Sequence, residues 1–148
     1  MFKKVLQIFL GFFSGSAVLI ALALPAGAGV AGPYGDWLLD NGQLVVRVTP
    51  CGGNVCANVV WLPEPNNADG TPKLDLKNPT PALKARHVIG MPVLENMAPA
   101  GPNLWRGLVY SADDGAYYNA TARVQGDKLQ VKGCWLVFCK DLNFNRKK

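Results

Sequence analysis

The chain of 148 residues carries 15 Lys and Arg residues against 10 Asp and Glu residues, which gives a formal net charge of +5. The basic residues are scattered apart from a cluster at 146–148, and no basic stripe with interleaved aromatic residues is present, which excludes the usual pattern of a nucleic-acid binder. The length suits one domain with one modest core.

The N-terminal segment has the order of a secretory signal peptide. Two lysines precede an apolar stretch over residues 5–24, and the small-residue sequence PAGA follows. We predict a periplasmic or secreted protein with a signal peptide of residues 1–28, or alternatively with cleavage after Ala31. An uncleaved membrane anchor is the competing interpretation, because the apolar stretch is long enough to span a bilayer. The exported domain, residues 29–148, has a formal charge of +3.

Beyond this segment the sequence predicts short strands separated by turns, and no window of comparable quality has helical periodicity. The alternation is cleanest over residues 128–133, where Leu129 and Val131 point to one face and polar residues to the other. This pattern indicates an all-β protein, either an antiparallel sandwich or a closed barrel. The predicted strands are 44–49, 55–62, 86–94, 104–111, 116–124 and 128–133.

The middle of the chain is rich in proline, and eight of the eleven prolines lie between Pro63 and Pro102. We predict a long excursion over the surface at about residues 63–81. Its polar residues Asn67, Asp69 and Asp75 could suggest a calcium loop, but they lack EF-hand spacing and a terminal Glu. Ordinary turn chemistry explains them, and no metal site is predicted.

All four cysteines lie in the exported domain, which predicts two disulfides in an oxidising compartment. The segments CGGNVC and CWLVFC have the same spacing, and two cysteines that face each other across a tight hairpin are suitably placed for a bridge. We favour Cys51–Cys56 and Cys134–Cys139, with crossed pairing as the alternative. The spacing is not that of a zinc site, and no C-x-x-C redox motif is present.

Several motifs occur in the order found in one protein family. They are GDW at 35–37, VVRVTPCGGNVCANVVWL at 45–62, DLKNP at 75–79, RHVIG at 86–90, RGLVYSADDGAYY at 106–118 and LQVKGC at 129–134. With these motifs the chain resembles a bacterial family of exported proteins of unknown function with a lipocalin-like barrel. The resemblance implies an all-β fold, a small antiparallel lipocalin-like barrel of about eight strands. The chain departs from the family pattern near its end, where Phe144 replaces a Trp.

The resemblance also implies how one end of the barrel closes. In lipocalin-like barrels an Arg near the last strand covers the Trp of the first strand. Trp37 and Arg146 are the corresponding residues here, and a cation–π contact between them would have a structural role.

No catalytic site is predicted. His87 is the single histidine, and no candidate nucleophile lies near it in sequence. The carboxylates are sparse and lie mostly in turns, and the signatures of phosphate loops, nucleophile elbows and metalloproteases are absent from the sequence. We therefore predict a protein that is not an enzyme and that uses no cofactor.

An eight-stranded barrel can enclose one small ligand or fill itself with side chains. The strand alternation predicts an inward face of aliphatic and aromatic residues on which two alanines leave space. This face suits a small hydrophobic ligand, and a packed core without a ligand is the competing interpretation. The predicted lining residues are Val46, Val48, Val59, Trp61, Leu108, Tyr110, Tyr118, Ala120 and Ala122.

The second candidate site is the apolar turn inside CWLVFC. Four large apolar residues occupy it: Trp135, Leu136, Val137 and Phe138. We favour the interpretation that they fold inward and plug the barrel. Alternatively they form an exposed patch that docks a partner protein or a membrane surface. The predicted function is binding of a small hydrophobic ligand, and the alternative is an envelope interaction or stress-related protein with a filled barrel.

Overall fold

The computed structural model describes residues 32–148, and the predicted signal peptide with both of its cleavage sites lies outside these residues. Within them no helix has the length and apolar character needed to cross a membrane. The described chain forms eight strands and one 3₁₀ turn over Pro81–Leu83. The strands are β1 (Gly35–Leu39), β2 (Val45–Cys51), β3 (Asn54–Trp61), β4 (Pro92–Gly101), β5 (Leu104–Ser111), β6 (Ala116–Gln125), β7 (Lys128–Trp135) and β8 (Phe138–Arg146).

Each strand pairs antiparallel with the next, and β8 returns to pair with β1, so the sheet is a closed barrel. This confirms the predicted all-β, eight-stranded antiparallel barrel. The connections alternate between two ends. The proximal end holds the start of β1 at Gly35 and the end of β8 at Arg146, and the distal end holds the β1–β2, β3–β4, β5–β6 and β7–β8 connections.

Side chains of alternate residues fill the interior. In β7 the residues Leu129 and Val131 pair with Phe144 and Leu142 of β8, and Leu129 also pairs with Val124 of β6. Leu129, Val131 and Phe144 are almost completely buried, whereas the intervening Gln130 and Lys132 are exposed. The period of two over 128–133 is therefore the inward and outward alternation of a barrel strand.

The predicted fourth strand at 86–94 is wrong in position, because β4 runs from Pro92 to Gly101. Residues before Pro92 belong to the excursion, and Gly90 has a φ of +93° that ends the extended run. Within β4 the register shifts between Glu95 and Ala98, and Asn96 has a φ of +51°. The bulge brings the Glu95 and Asn96 carbonyl oxygens close to Gly107, at which a Cβ would lie 2.7 Å from each. A bulged strand lacks the regular alternation by which a strand is predicted.

The segment between β3 and β4 packs against the distal end of the barrel. It contains two isolated bridges, Asn66 with Pro72 and Leu74 with His87, and it covers the β5–β6 turn. Gly115 in that turn has a φ of +65°, and a Cβ there would lie 1.9 Å from the Lys77 carbonyl oxygen. The approach of the excursion therefore requires glycine at this position.

Two disulfides close two of the hairpins. Cys51 is bonded to Cys56 across the β2–β3 turn, and Cys134 is bonded to Cys139 across the β7–β8 turn. These are the local pairs that the spacing favours. The first lies at the proximal end and the second at the distal end, so each disulfide stabilises one hairpin and neither joins distant parts of the chain.

Candidate functional site

The barrel interior is nearly filled with side chains. A cavity of about 60 Å³ remains, bordered by residues that include Val46, Leu129, Val131 and Phe144. Pockets that bind drug-sized molecules have volumes of roughly 300–1,000 Å³. The interior is therefore a packed core that contains one small void within the described residues.

Six of the nine predicted lining residues are buried in the core, namely Val46, Val48, Val59, Tyr110, Ala120 and Ala122. Tyr118 lies on the same face of β6 as the two alanines but is only partly buried, and its hydroxyl donates to a carboxylate oxygen of Asp114. Tyr110 is buried and borders the cavity, but its hydroxyl is bonded to the excursion.

Two predicted lining residues, Trp61 and Leu108, are on the surface instead, with exposed fractions of 42% and 36%. For Trp61 the cause is a register shift in the β2–β3 ladder. Val46 pairs with Val59, but Val45 pairs with Trp61, so Trp61 lies on the face opposite to that of Val59.

For Leu108 the cause is that the prediction exchanged the two faces of β5, so that an outward residue was taken as inward. Leu108 pairs with exposed Asn119, whereas its neighbour Val109 pairs with Tyr118 and Leu94. Val109 therefore belongs to the inward set, which alternation alone assigned to Leu108.

A buried polar cluster holds the excursion against β5. The Tyr110 hydroxyl donates to Asp75 Oδ1 at 2.7 Å, and Asn78 Nδ2 donates to Asp75 Oδ2 at 2.8 Å. Arg86 Nε donates to the same Oδ2 at 2.9 Å and its guanidinium lies 5.1 Å from the centroid of the Tyr110 ring. Asp75 and Asn78 are almost completely buried. Every oxygen of the Asp75 carboxylate is thus engaged by a donor.

The cluster fixes the charge of its members. Burial, the largest influence on Asp75, raises its pKa, but the hydrogen bonds from Tyr110, Asn78 and Arg86 together bring the pKa below its usual value. Burial and the bond to Asp75 raise the pKa of Tyr110 to about 12. Ionised Asp75 and neutral Tyr110 therefore persist at neutral pH. Sequence reasoning missed this cluster, although DLKNP and RHVIG, which carry three of its four residues, were among the family motifs.

The proximal end is closed by the two residues that the resemblance assigns to it. Trp37 is completely buried, and its Nε1 donates to the Pro33 carbonyl oxygen at 2.8 Å. The Arg146 guanidinium covers the indole ring and donates to the carbonyl oxygens of Gly32 and Tyr34. The structure brings these residues together as part of the scaffold.

The distal end carries an exposed apolar tip, which we define as residues 135–138. The exposed fractions of its side chains are 63% for Trp135, 80% for Leu136, 85% for Val137 and 71% for Phe138. The interpretation that these residues plug the barrel is therefore wrong. Trp135 pairs with Phe138, the Cys134–Cys139 disulfide lies directly behind them, and the two central residues project beyond the end of the barrel.

The backbone of the tip is strained. Leu136 has a φ of +53°, a region in which a side chain costs about 1–2 kcal/mol and which glycine occupies freely. A leucine here is unfavourable for the turn itself, because glycine, which has no Cβ, would relieve the strain. The strain and the exposure thus coincide at one position.

The hairpin that carries the tip extends past its neighbour in the barrel. The β1–β8 ladder ends at the pair Leu39 and Phe144, and the Asp40 amide donates to the Asn143 carbonyl oxygen just beyond it. The chain then reverses in the β1–β2 turn. Over residues 138–142, β8 therefore has β7 on one side and no described strand on the other. We call this side of residues 138–142 the exposed edge.

The charges beside the tip are balanced. Lys132 lies 3.9 Å from Asp141, and Lys77 donates to the Asp113 carbonyl oxygen. Hydrogen bonds from Ser111 and Tyr118 lower the pKa of Asp114, and nearby Lys140 and Lys77 lower it further. Lysine and aspartate side chains thus both lie around the tip, and Lys132 and Asp141 form an ion pair.

Comparison with other proteins supports the fold and shows the family. No curated protein matches the sequence. A similar structure is "Protein HP1028 from the human pathogen Helicobacter pylori belongs to the lipocalin family", which has a TM-score of 0.63 and 20% sequence identity over 78% of this chain and 82% of that one. This likeness supports a lipocalin-like fold. Residues 35–146 match the family described as "Uncharacterized protein conserved in bacteria (DUF2147)", and the chain belongs to this family.

Proposed function

We propose that this protein is an exported, non-catalytic interaction protein of the bacterial envelope, which binds a partner protein through the apolar tip. The observation that carries the proposal is the run of four large apolar side chains, each more than 60% exposed, on a turn closed by a disulfide. The filled barrel serves as a rigid support. The two disulfides support an oxidising compartment outside the cytoplasm.

Burial of the tip against a partner would be strongly favourable. A fully buried Leu, Val or Phe side chain contributes roughly 1.5–3 kcal/mol relative to its exposed state, so covering four such residues would contribute on the order of 5 kcal/mol or more. Loops normally expose polar residues, and a contiguous apolar patch on a surface is typical of an interaction site. The strain at Leu136 supports the same proposal, because strained backbone that persists at a surface is typical of functional sites.

A protein partner fits this site better than a membrane surface. The exposed edge would carry unpaired backbone groups into the bilayer with the tip, and hydrocarbon cannot hydrogen-bond them. The lysines near the tip (Lys77, Lys132 and Lys140) lie among as many aspartates (Asp113, Asp114 and Asp141). The site therefore lacks the excess of positive charge that attracts anionic lipids.

Binding of a small hydrophobic ligand remains a second candidate, which the lipocalin-like fold supports. The volume of about 60 Å³ limits such a ligand to a very small apolar molecule unless the side chains around the cavity rearrange. Two experiments would test this candidate. One is binding of a fluorescent apolar probe to the purified protein, and the other is mass spectrometry of any bound molecule that is released on denaturation.

The non-catalytic role is supported by the state of the buried polar groups. Asp75 is the most buried carboxylate, and its donors Tyr110, Asn78 and Arg86 occupy both of its oxygens. A general acid or base needs access to a substrate within hydrogen-bond reach. The cluster therefore has a structural role, which is to hold the excursion against β5.

Site-specific photo-cross-linking in the native host tests the proposed function. A photoreactive amino acid at Val137 should give one protein adduct, and the same group at Tyr34, which is 50% exposed at the proximal end, should not give it. The captured protein, once purified, should bind the wild type and lose at least tenfold in affinity for Trp135→Ser/Phe138→Ser. The Trp61→Ser variant is the matched control. Adducts with lipid alone, or unchanged affinity for the double variant, would contradict the proposal.

A further inference from the structure

The exposed edge of β8 has backbone groups directed away from the barrel. The Asn143 carbonyl points toward β1, where it accepts from Asp40, and the Arg146 amide points toward β7, where it donates to the Asp127 carbonyl. The direction of these groups alternates along a strand. Cys139 and Asp141 therefore direct both their N–H and C=O groups to the side on which no described strand lies, whereas Lys140 directs its groups toward β7.

The side chains around this edge leave it accessible. Residues 138–141 are all exposed, and the neighbouring β1–β2 connection reverses direction at residues 40–43, below the level of the edge. An edge of five residues is about 17 Å long, enough for a short added strand. An uncovered strand edge is a template for pairing with another chain unless it is blocked by a bulge, a proline or a covering loop. None of these is found over residues 138–142.

We infer that the partner of the apolar tip binds as an extended segment that adds a strand to the exposed edge, with its backbone bonded to Cys139 and Asp141. This inference rests on the proposed function, and it specifies how the partner binds. The partner's apolar side chains would extend the contact onto Phe138 at the base of the tip.

The charge of the edge defines the chemistry of the segment. Phe138, Lys140 and Leu142 share one face of β8, because they alternate with Cys139 and Asp141. In an antiparallel pair, residues directly opposite each other interact, and opposite charges there are favourable. The segment should therefore present an acidic residue opposite Lys140, with apolar residues two positions away on either side.

The same geometry argues against a second copy of this chain as the partner. A self-paired antiparallel edge that uses both Cys139 and Asp141 of each copy pairs Cys139 of one copy with Asp141 of the other. That register places Lys140 directly opposite Lys140, and like charges in that position are destabilising. The partner is thus a different polypeptide.

Amide hydrogen exchange tests the edge itself. In the free protein the amides of Cys139 and Asp141 should exchange at least tenfold faster than those of Lys140 and Leu142, which face β7. The probe is a capped seven-residue peptide in which threonines alternate with valine, glutamate and valine. At saturation it should protect the Asp141 amide at least tenfold, and the same peptide with lysine in place of glutamate should not. Slow exchange in the free protein, or no protection by the glutamate peptide, would overturn the inference.

A proline variant gives a second test that separates this inference from the proposed function. Asp141→Pro removes the N–H at the edge without removing a β7–β8 bond, and Asp141→Ala keeps the N–H as the matched control. The adduct yield from position 137 should fall at least tenfold with Asp141→Pro and change less than about twofold with Asp141→Ala. Equal yields from the two variants, together with loss of the adduct in Trp135→Ser/Phe138→Ser, would overturn strand addition and leave docking through the tip intact. If Asp141→Pro does not fold, the exchange measurement decides.

Discussion

The guanidinium carbon of Arg146 lies 4.2 Å from the centroid of the Trp37 ring, so the last strand covers the buried aromatic residue of the first. The same side chain donates to Gly32 and Tyr34 at 2.8 and 2.9 Å and forms an ion pair with Asp127 at 3.2 Å. One residue thus joins the segment before β1, the β6–β7 turn and the end of β8. These contacts close the proximal end.

Replacing Arg146 by Ala should therefore lower stability. Loss of the cation–π contact and of hydrogen bonds from a charged donor should cost about 2–4 kcal/mol. For a domain of this size that corresponds to a fall in Tm of roughly 8–15 °C, measured by calorimetry. Arg123→Ala is the matched control, because Arg123 is exposed on the outer face of β6 and should change Tm by less than about 2 °C. Equal melting temperatures for the two variants would count against the closing role.

The buried Asp75–Tyr110 pair should make stability depend on pH at both extremes. The pKa of Asp75 is lowered in the folded state, so its contribution is present above pH 4 and is lost as the pH falls through the lowered value. The pKa of Tyr110 is raised to about 12, so its contribution is present below pH 10 and is lost as the pH rises toward 12. Urea unfolding at several pH values measures both.

Tyr110→Phe should reduce the alkaline loss of stability and should cost about 1–3 kcal/mol at pH 7, because Asp75 loses a buried hydrogen-bond donor. Tyr34→Phe, at an exposed tyrosine, is the control. A pH dependence that is the same in both variants would mean that Tyr110 does not titrate as the structure implies.

Gly115→Ala should release the excursion from the β5–β6 turn. The new Cβ would conflict both with the positive φ and with the Lys77 carbonyl oxygen. Gly126 is a matched control, because it has a φ of +58° but no atom within 4 Å of its would-be Cβ. We expect a loss of about 1 kcal/mol for Gly126→Ala and at least about 2 kcal/mol more for Gly115→Ala. Equal losses would show that only the backbone strain matters.

Removal of one disulfide should weaken partner binding, whereas removal of the other should lower only the stability. Closing so short a loop contributes about 2 kcal/mol in the chain-entropy model. Cys134→Ser/Cys139→Ser should reduce partner binding, because the tip loses its fixed turn. Cys51→Ser/Cys56→Ser, at the opposite end of the barrel, should lower Tm but leave binding within about twofold. Equal binding by both variants would argue that the tip needs no disulfide to hold its shape.

Leu136→Gly should separate stability from binding. Glycine relieves the strain at a φ of +53°, so the free energy of unfolding should stay the same or rise by up to about 1 kcal/mol. Partner binding should weaken several-fold, because an 80% exposed apolar side chain is removed. Val137→Gly is the control, since Val137 does not have a positive φ and gains no relief. A loss of stability with Leu136→Gly would contradict the assignment of strain.

Short-range patterns in the sequence predicted those parts of the molecule that local geometry controls. The alternation over 128–133 predicted the inward positions of Leu129 and Val131, because the period of two follows from the strand itself. The equal spacing of the cysteines favoured two local disulfides, since a tight hairpin brings its flanking residues within bonding distance. The ordered motifs identified the family and with it the barrel.

Long-range register decided the rest. Alternation placed Trp61 inside, but one shifted residue in the β2–β3 ladder moved it to the surface. The sequence presents Tyr110 as one more lining residue, while the excursion 35 positions earlier in the chain supplies the carboxylate that holds its hydroxyl. The apolar tip was recognised as unusual, but its direction depends on where the β1–β8 ladder ends. Local spacing thus determined most of the strands and favoured the two disulfides, and the ordered motifs indicated the family. Tertiary pairing determined where β4 runs, which face each strand buries and which edge it leaves exposed, because a slip of one residue reverses every side chain.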